Sequence, residues 1–290
     1  MRGAHGSSLA HPREEANLAT LLDIDGEALS QAFGRRPAAV RHNLVDHPLL
    51  TVEAIARLAD RLPEAQIEQN VGNLPTVVAS GEVERSELPP GDIARGIEAN
   101  GCWMVLKNIE ADAEYGRLLD DSLDEVAAVI GPREGGMTLR EGFIFLSAPG
   151  SVTPSHTDPE HNLLLQVRGT KDMNLGEFPD GTTRQLVLEN SRHRNIEWEP
   201  HRPQTFALGP GDGVYVPVHA PHWVKNGETV SVSLSITFQT PVSRRAARVH
   251  SLNGRIRRLG IAPRPPGYHF GTDRAKESVH RSLSRLKSSA

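Results

Sequence analysis

Apolar positions divide the chain into a helical first part, a run of short alternating segments and a helical end. Leu18, Leu21 and Leu22 begin a helical spacing that continues from Asp25 through Leu29 to Phe33, with Gly34 placed as a cap. Thr51 is placed to cap a second helix carrying Ala54, Ile55, Leu58, Ala59 and Leu62, ended by Pro63. Leu118, Leu119, Leu123, Val126 and Ile130 form the stripe of another, stopped at Gly131 and Pro132. Residues 38–41 and 102–106 read as short strands between these helices.

From Glu141 the period shortens to two. Residues 142–147, 162–168, 204–208, 213–216 and 229–238 are strand-like, with a weak strand at 185–188 inside an otherwise loop-like 177–204. In 229–238, Thr229, Ser231, Ser233, Ser235 and Thr237 alternate with apolar residues, so one face suits a core and the other a polar cavity. Many short, closely spaced strands predict a mainly β fold with flanking helices, a double-sheet jelly roll closed around an interior site. Beyond Pro241, Val249, Leu252, Ile256 and Leu259, then Val279, Leu283 and Leu286, make narrow apolar seams on two helices. Such seams need a partner surface, either a second copy in a homodimer or the N-terminal helices. The expected organisation is a disordered 1–14, a mixed helical 15–135 packed on the barrel, a jelly-roll core at 136–241 and a basic helical extension at 242–290.

Composition narrows the class of protein. No apolar run approaches the roughly 18 residues of a membrane helix, and the first residues lack the hydrophobic core of a signal peptide. The single cysteine, Cys102, excludes an internal disulfide and a cysteine-rich zinc site. A soluble cytoplasmic protein is the expectation. The formal charge of -4 conceals an asymmetry: residues 243–290 carry twelve Lys and Arg against two acids, leaving the remainder strongly acidic. The basic end is expected to meet the acidic body or a second subunit rather than nucleic acid, and the acidic body leans toward a basic peptide or protein substrate.

The candidate chemistry lies between Thr153 and Lys171. His156 and Asp158, two residues apart in an extended segment, point to one side and can both touch one metal ion. A third ligand is available from residues 216–224, where His219 and His222 compete. Two histidines and a carboxylate leaving other positions open suit a non-haem Fe(II) oxygenase site. Gly169 and Thr170 read as a two-residue type II′ hairpin, which places Lys171 on one face with Asn162, Leu164, Gln166 and Arg168. A lysine facing an interior needs an anionic partner, and a dicarboxylate cosubstrate would supply one. Arg192, His193, Arg194, Trp198 and His201, in the long loop, are candidates to border a substrate site, and His161 is read as a rim residue.

The run from Gly150 through Thr153, Pro154, His156 and Asp158, then 162–166 and Gly169 to Lys171, resembles the core of the cupin-like jumonji-C (JmjC) hydroxylases, most of all their asparaginyl-hydroxylase branch. Residues 216–226, with His222 before Trp223 and Val224, resemble that family's second metal segment. The likeness is detailed over roughly 140–240; Gly34 to Pro37 and His47 to Leu50 carry a looser likeness to bacterial members. The resemblance implies a double-stranded β-helix in which His156, Asp158 and His222 bind Fe(II), with His222 favoured over His219. Lys171 and Thr153 would hold the distal carboxylate of 2-oxoglutarate, with Asn162 and Ser235 near its other end. Thr153 is off parity with His156, so its part requires Pro154 to break the strand. No tyrosine matching the family's cosubstrate contact is evident in the sequence.

The expected activity is Fe(II)-, 2-oxoglutarate- and O2-dependent hydroxylation of a C–H bond on a peptide or protein side chain or a small metabolite, with N-demethylation as a variant. The competing readings are a metal cupin enzyme that does not use 2-oxoglutarate and a non-catalytic binding module.

Overall fold

The computed structural model describes residues 20–71, 75–77, 88–131, 134–190, 193 and 196–288. The expectations placed on residues 1–14, Leu18, Pro132, Arg192 and Arg194, and on the side chain of Leu286, fall outside what is described. Strands β1 (Leu22–Asp23), β2 (Ala38–His42), β3 (Ile67–Val71), β4 (Cys102–Lys107), β5 (Thr138–Ser147) and β6 (Val152–His156) come first in the chain. They are followed by β7 (His161–Arg168), β8 (Lys171–Glu177), β9 (His201–Leu208), β10 (Asp212–Val216), β11 (His222–Asn226) and β12 (Ser231–Gln239). The helices are α1 (Gly26–Ala32), α2 (Val52–Ala59), α3 (Pro90–Arg95), α4 (Ala113–Ile130), α5 (Gly181–Asn190), α6 (Pro241–Arg257) and α7 (Phe270–Ser288).

The strands form an eight-stranded sheet in the order β1-β2-β10-β7-β12-β5-β4-β3 and a four-stranded sheet in the order β6-β11-β8-β9. This is the expected double-sheet architecture. The strands expected at 38–41 and 102–106 are β2 and β4; together with β1 and β3, which the pattern does not show, they extend both edges of the large sheet.

Alternation decides what each face of the large sheet meets. Leu163, Leu165, Leu234 and Ile236 point to the helical layer and share one buried cluster with Leu118, Leu119, Leu123 and Val126 of α4. The intervening positions look into the barrel, where Leu164, Val214 and Val216 meet Met173, Leu175, Leu208 and Val224 of the small sheet. The hydroxyl face of β12 therefore lies inside: Ser233 donates to Gln166 at 2.6 Å and Ser235 to Asn162 at 2.7 Å.

Local signals are obeyed where they concern one helix. The Thr51 side chain accepts the Ala54 N–H at 3.2 Å, and α2 buries Ala54, Ile55, Leu58 and Ala59 before stopping short of Pro63. Asp112 caps α4, which ends at Gly131 with φ of 67°.

Four expectations are corrected. Leu21 and Leu22 do not start a helix, because their backbone N–H groups both donate to the Glu125 carboxylate on α4, at 2.8 Å each, and Leu22 opens β1. Residues 185–188 are helical rather than a weak strand. Asp180 accepts the Thr183 N–H at 2.8 Å, and Val187 and Leu188 are buried on α5 despite their β-branched neighbourhood. The β7 and β8 strands do not pair as a hairpin: β7 lies between β10 and β12, and β8 between β11 and β9. Gly169, with φ of 68°, instead turns the chain from one sheet to the other, and a side chain there would collide with the Val230 carbonyl. Finally, the C-terminal helices do not rest on the N-terminal ones. Helix α6 packs on α5, where Arg257 pairs with Glu189 at 2.8 Å, and α7 packs on α6.

Candidate metal centre

His156 and His222 stand directly opposite each other on the adjacent antiparallel strands β6 and β11, with ring centroids 4.1 Å apart. Their geometry is set by backbone carbonyls. His156 Nδ1 lies 2.7 Å from the Pro154 oxygen and His222 Nδ1 2.9 Å from that of Ala220. A carbonyl only accepts, so each Nδ1 carries the proton and each Nε2 presents its lone pair. Asp158 Oδ2 is 3.5 Å from His222 Nε2 and 3.9 Å from His156 Nε2. One ligand atom from each of the three residues falls within 4.8 Å of the others. Two imidazole lone pairs and one carboxylate converging on a point fit a divalent ion with open coordination positions.

Asp158 reaches this point without belonging to a strand, since β6 ends at His156. The loop that carries it is held by its own carbonyl, which accepts the His219 N–H at 2.8 Å. His219 thus braces the loop through its backbone. Its ring stacks on His193, centroids 5.2 Å apart, and is not part of the converging set. His161 is not at the rim as expected. It is buried, its Nδ1 is 2.9 Å from the Tyr215 hydroxyl, and Phe33 stacks on it at 4.5 Å. Burial pushes its pKa down to about 4.

Beneath the triad lies a narrow cavity lined by Thr153, Asn162, Lys171, Phe145, Ser147, Leu164, Met173 and Val224. Lys171 is 5% exposed, and its ammonium sits 6.0 Å from the centre of the Phe145 ring. Burial without a compensating charge lowers its pKa to about 7. Thr153 shares this cavity despite its parity. His222 pairs with His156 but Val224 pairs with Thr153, so the extra residue at Pro154 and Ser155 forms a bulge that turns Thr153 inward. Asn162 faces the cavity, whereas Ser235 stands behind it and holds the Asn162 side chain.

Phe145, Ser147, Met173 and Val224 also line the cavity; the sequence shows their strands, but which way each side chain faces depends on register. Glu160 also lies near Asp158, without any signal in the sequence, and its carboxyl is pushed up to about 7 by burial and by the Asp158 charge. From the long loop, His193 and Ile196 do reach this region: the Thr157 N–H donates to the His193 carbonyl and the Ile196 N–H to that of Ser155. Trp198 packs on Phe178, centroids 5.4 Å apart, and His201 opens β9.

Residues 137–245 match the JmjC domain family. Among solved structures, the fold is similar to Escherichia coli YcfD, with a TM-score of 0.55, 17% identity, and coverage of 90% of this chain and 68% of that one. Two further structures of that protein, described as a ribosomal oxygenase, are in complex with cobalt and succinic acid and with cobalt and 2-oxoglutarate. They give TM-scores of 0.53 and 0.52 at 17% identity, each covering 90% of this chain and 67% of that one. A comparison with curated protein sequences finds no match. The double-sheet barrel and the residues converging at its mouth agree with the match of residues 137–245 to the JmjC domain family.

Proposed function

We propose that this chain is an Fe(II)- and 2-oxoglutarate-dependent oxygenase that hydroxylates a C–H bond, with His156, Asp158 and His222 as the iron ligands. The observation carrying this reading is the pairing of that converging triad with a buried, unneutralised Lys171 in one cavity. A metal cupin with no dicarboxylate to bind would have no use for Lys171, whose burial is costly. The structural relatives bind cobalt, an ion suited to the same nitrogen and oxygen donors, together with 2-oxoglutarate or succinic acid.

Iron held by His156, Asp158 and His222 would supply the redox chemistry by which O2 gives one oxygen atom to 2-oxoglutarate, leaving succinate and CO2, and the other to a substrate C–H bond. The chain's own residues arrange the reactants. The Pro154 and Ala220 carbonyls fix both imidazoles with Nε2 toward the metal position. Lys171 would neutralise the distal carboxylate, and Thr153, which lines the same cavity, would donate its hydroxyl to it. Asn162, locked by Ser235, orients the metal-proximal end. Phe145, Leu164, Met173 and Val224 wall the cavity with apolar surface and exclude water from it.

The substrate reading is a peptide or protein side chain, supported by the relatives' description as ribosomal oxygenases. We further infer a catalytic unit at 136–241, a cytoplasmic location and a homodimer through α7, where Val279 and Leu283 leave apolar surface exposed. Among the described residues, no helix is long and apolar enough to cross a membrane.

Succinate formation by the purified chain tests the oxygenase reading. It is expected to require both Fe(II) and 2-oxoglutarate and to vanish in His156→Ala and Asp158→Ala; full activity in both variants would overturn the assignment. Sedimentation of wild type against Val279→Glu/Leu283→Glu tests the dimer, and a monomeric wild type would refute it.

A further inference from the structure

An open cleft runs along the outside of loop 217–221, the loop that braces Asp158. It has two lobes of about 590 and 610 Å³ that meet at Gly34, Arg35, Arg184, Val218 and His219. The waist is thus formed by the residue whose N–H holds the Asp158 carbonyl.

The cations around this waist are available. Arg35, just after α1, and Arg184, on α5, are exposed, and neither guanidinium has a hydrogen bond or ion pair among the described residues. Arg36 and Arg202 stand free in the same way along the first lobe. Three of the four carboxylates on these walls keep their charge but are held by hydrogen bonds away from the arginines' guanidinium groups. Asp180 caps α5 through Thr183, Glu134 accepts from the Thr240 hydroxyl at 3.0 Å, and Asp273 accepts the Gly267 N–H at 2.7 Å. The second observation is independent of charge. His250, 5% exposed on α6, and His219 both line the cleft, and the Nδ1 atom of each is buried without a hydrogen-bond partner among the described residues. Native interiors seldom leave such atoms unsatisfied, so a ligand that turns the two rings enough to reach them completes the site.

We propose that this cleft binds acidic side chains of a polypeptide, with a carboxylate held between Arg35 and Arg184 and further polar atoms of the peptide bonded to His219 and His250. A nucleic acid backbone fits less well, because the charges of Glu134, Glu177, Asp180 and Asp273 break the positive surface into short stretches that suit single carboxylates set between the arginines better than a run of evenly spaced phosphates. The acidic sum of residues 1–242 points the other way, toward a basic partner, but recognition is set by the charges that face the ligand. As a binding site the cleft stands alone; as the place where the substrate lies it rests on the oxygenase reading above.

The test is fluorescence anisotropy with the full chain, without metal or cosubstrate. The probes are a short labelled Asp/Glu-rich peptide, a Lys-rich peptide of equal length and a single-stranded RNA. The acidic peptide is expected to bind, and to lose roughly tenfold or more in affinity in Arg35→Glu/Arg184→Glu, the scale of one charge-assisted hydrogen bond. Arg35→Lys/Arg184→Lys is expected to retain most of the affinity. No binding of the acidic peptide, tighter binding of the RNA or of the Lys-rich peptide, or an unchanged affinity in the charge-reversed variant would each overturn the proposal. Both arginines are exposed, so unfolding is not expected, and unchanged substrate-free succinate formation in the variant checks it. If the wild type binds the peptide but forms no succinate, the oxygenase reading fails and the acidic-peptide site stands.

Discussion

The two sheets of the barrel are built for different work. The eight-stranded sheet is covered on one face by helices and shares with them a buried cluster running from Leu22 to Phe238. The four-stranded sheet has a small apolar contribution, Met173, Leu175, Leu208 and Val224, and an edge strand, β9, whose residues are mostly exposed. Yet His156, His222, Thr153 and Lys171 all come from this thinner sheet or its first residue. The large sheet contributes Asn162 and apolar wall. Folding energy concentrates where apolar area is buried, so buried polar groups can be carried at the other end of the barrel without threatening the whole.

This contrast can be broken by experiment. The largest effect is expected from Asp158→Ala, which should cut Fe(II)-dependent succinate formation by about 100-fold or more, since even outer-shell changes at metal sites cost 10–100-fold. Its thermal midpoint should barely move, because Asp158 lies on a loop; a large drop would mean that the small sheet also carries the fold.

Lys171→Ala comes next. Removing one partner of a buried ion pair costs about 3–5 kcal/mol, so the 2-oxoglutarate Kd should rise by roughly 100-fold or more, while the cosubstrate-free protein becomes more stable. The pH dependence follows from burial. With a folded pKa of about 7 against 10.5, the unfolded chain binds the extra proton between those values. Stability of the free protein should therefore rise with pH across that window, and Lys171→Ala should flatten the rise. Calorimetry near pH 8 should also show proton uptake when 2-oxoglutarate binds; no uptake would mean that Lys171 already carries its proton.

Leu123→Ala, beneath the large sheet, should cost about 2–5 kcal/mol in urea unfolding and leave cosubstrate affinity intact. Thr51→Ala should cost only about 1 kcal/mol, the value of a helix N-cap, with no effect on turnover.

The parts of this picture legible in the sequence are those that depend on near neighbours. The α4 stripe from Leu118 to Ile130 and the Thr51 cap follow from spacings of a few residues. Serine alternation in β12 reports an interior face because a strand has only two faces. The misreadings have the opposite character. Leu21 and Leu22 yield their helical spacing to a carboxylate from Glu125, about a hundred residues away. The Gly169 turn was recognisable, but which sheet received the next strand was not. Lys171 still reaches the interior, because the turn carries the chain across the barrel rather than back along one sheet.

What the sequence by itself determined is the repertoire: a mainly β chain with helices around it, two histidines and an aspartate of the right chemistry, a lysine bound for an interior, and an uneven spread of charge. Only the tertiary structure set His156 opposite His222, turned Thr153 inward through a bulge at Pro154, and gathered Arg35, Arg184, His219 and His250 around one cleft. The reason is physical. Side-chain type and local period are properties of adjacent residues, whereas strand pairing and local potential depend on which distant segments meet when the barrel closes.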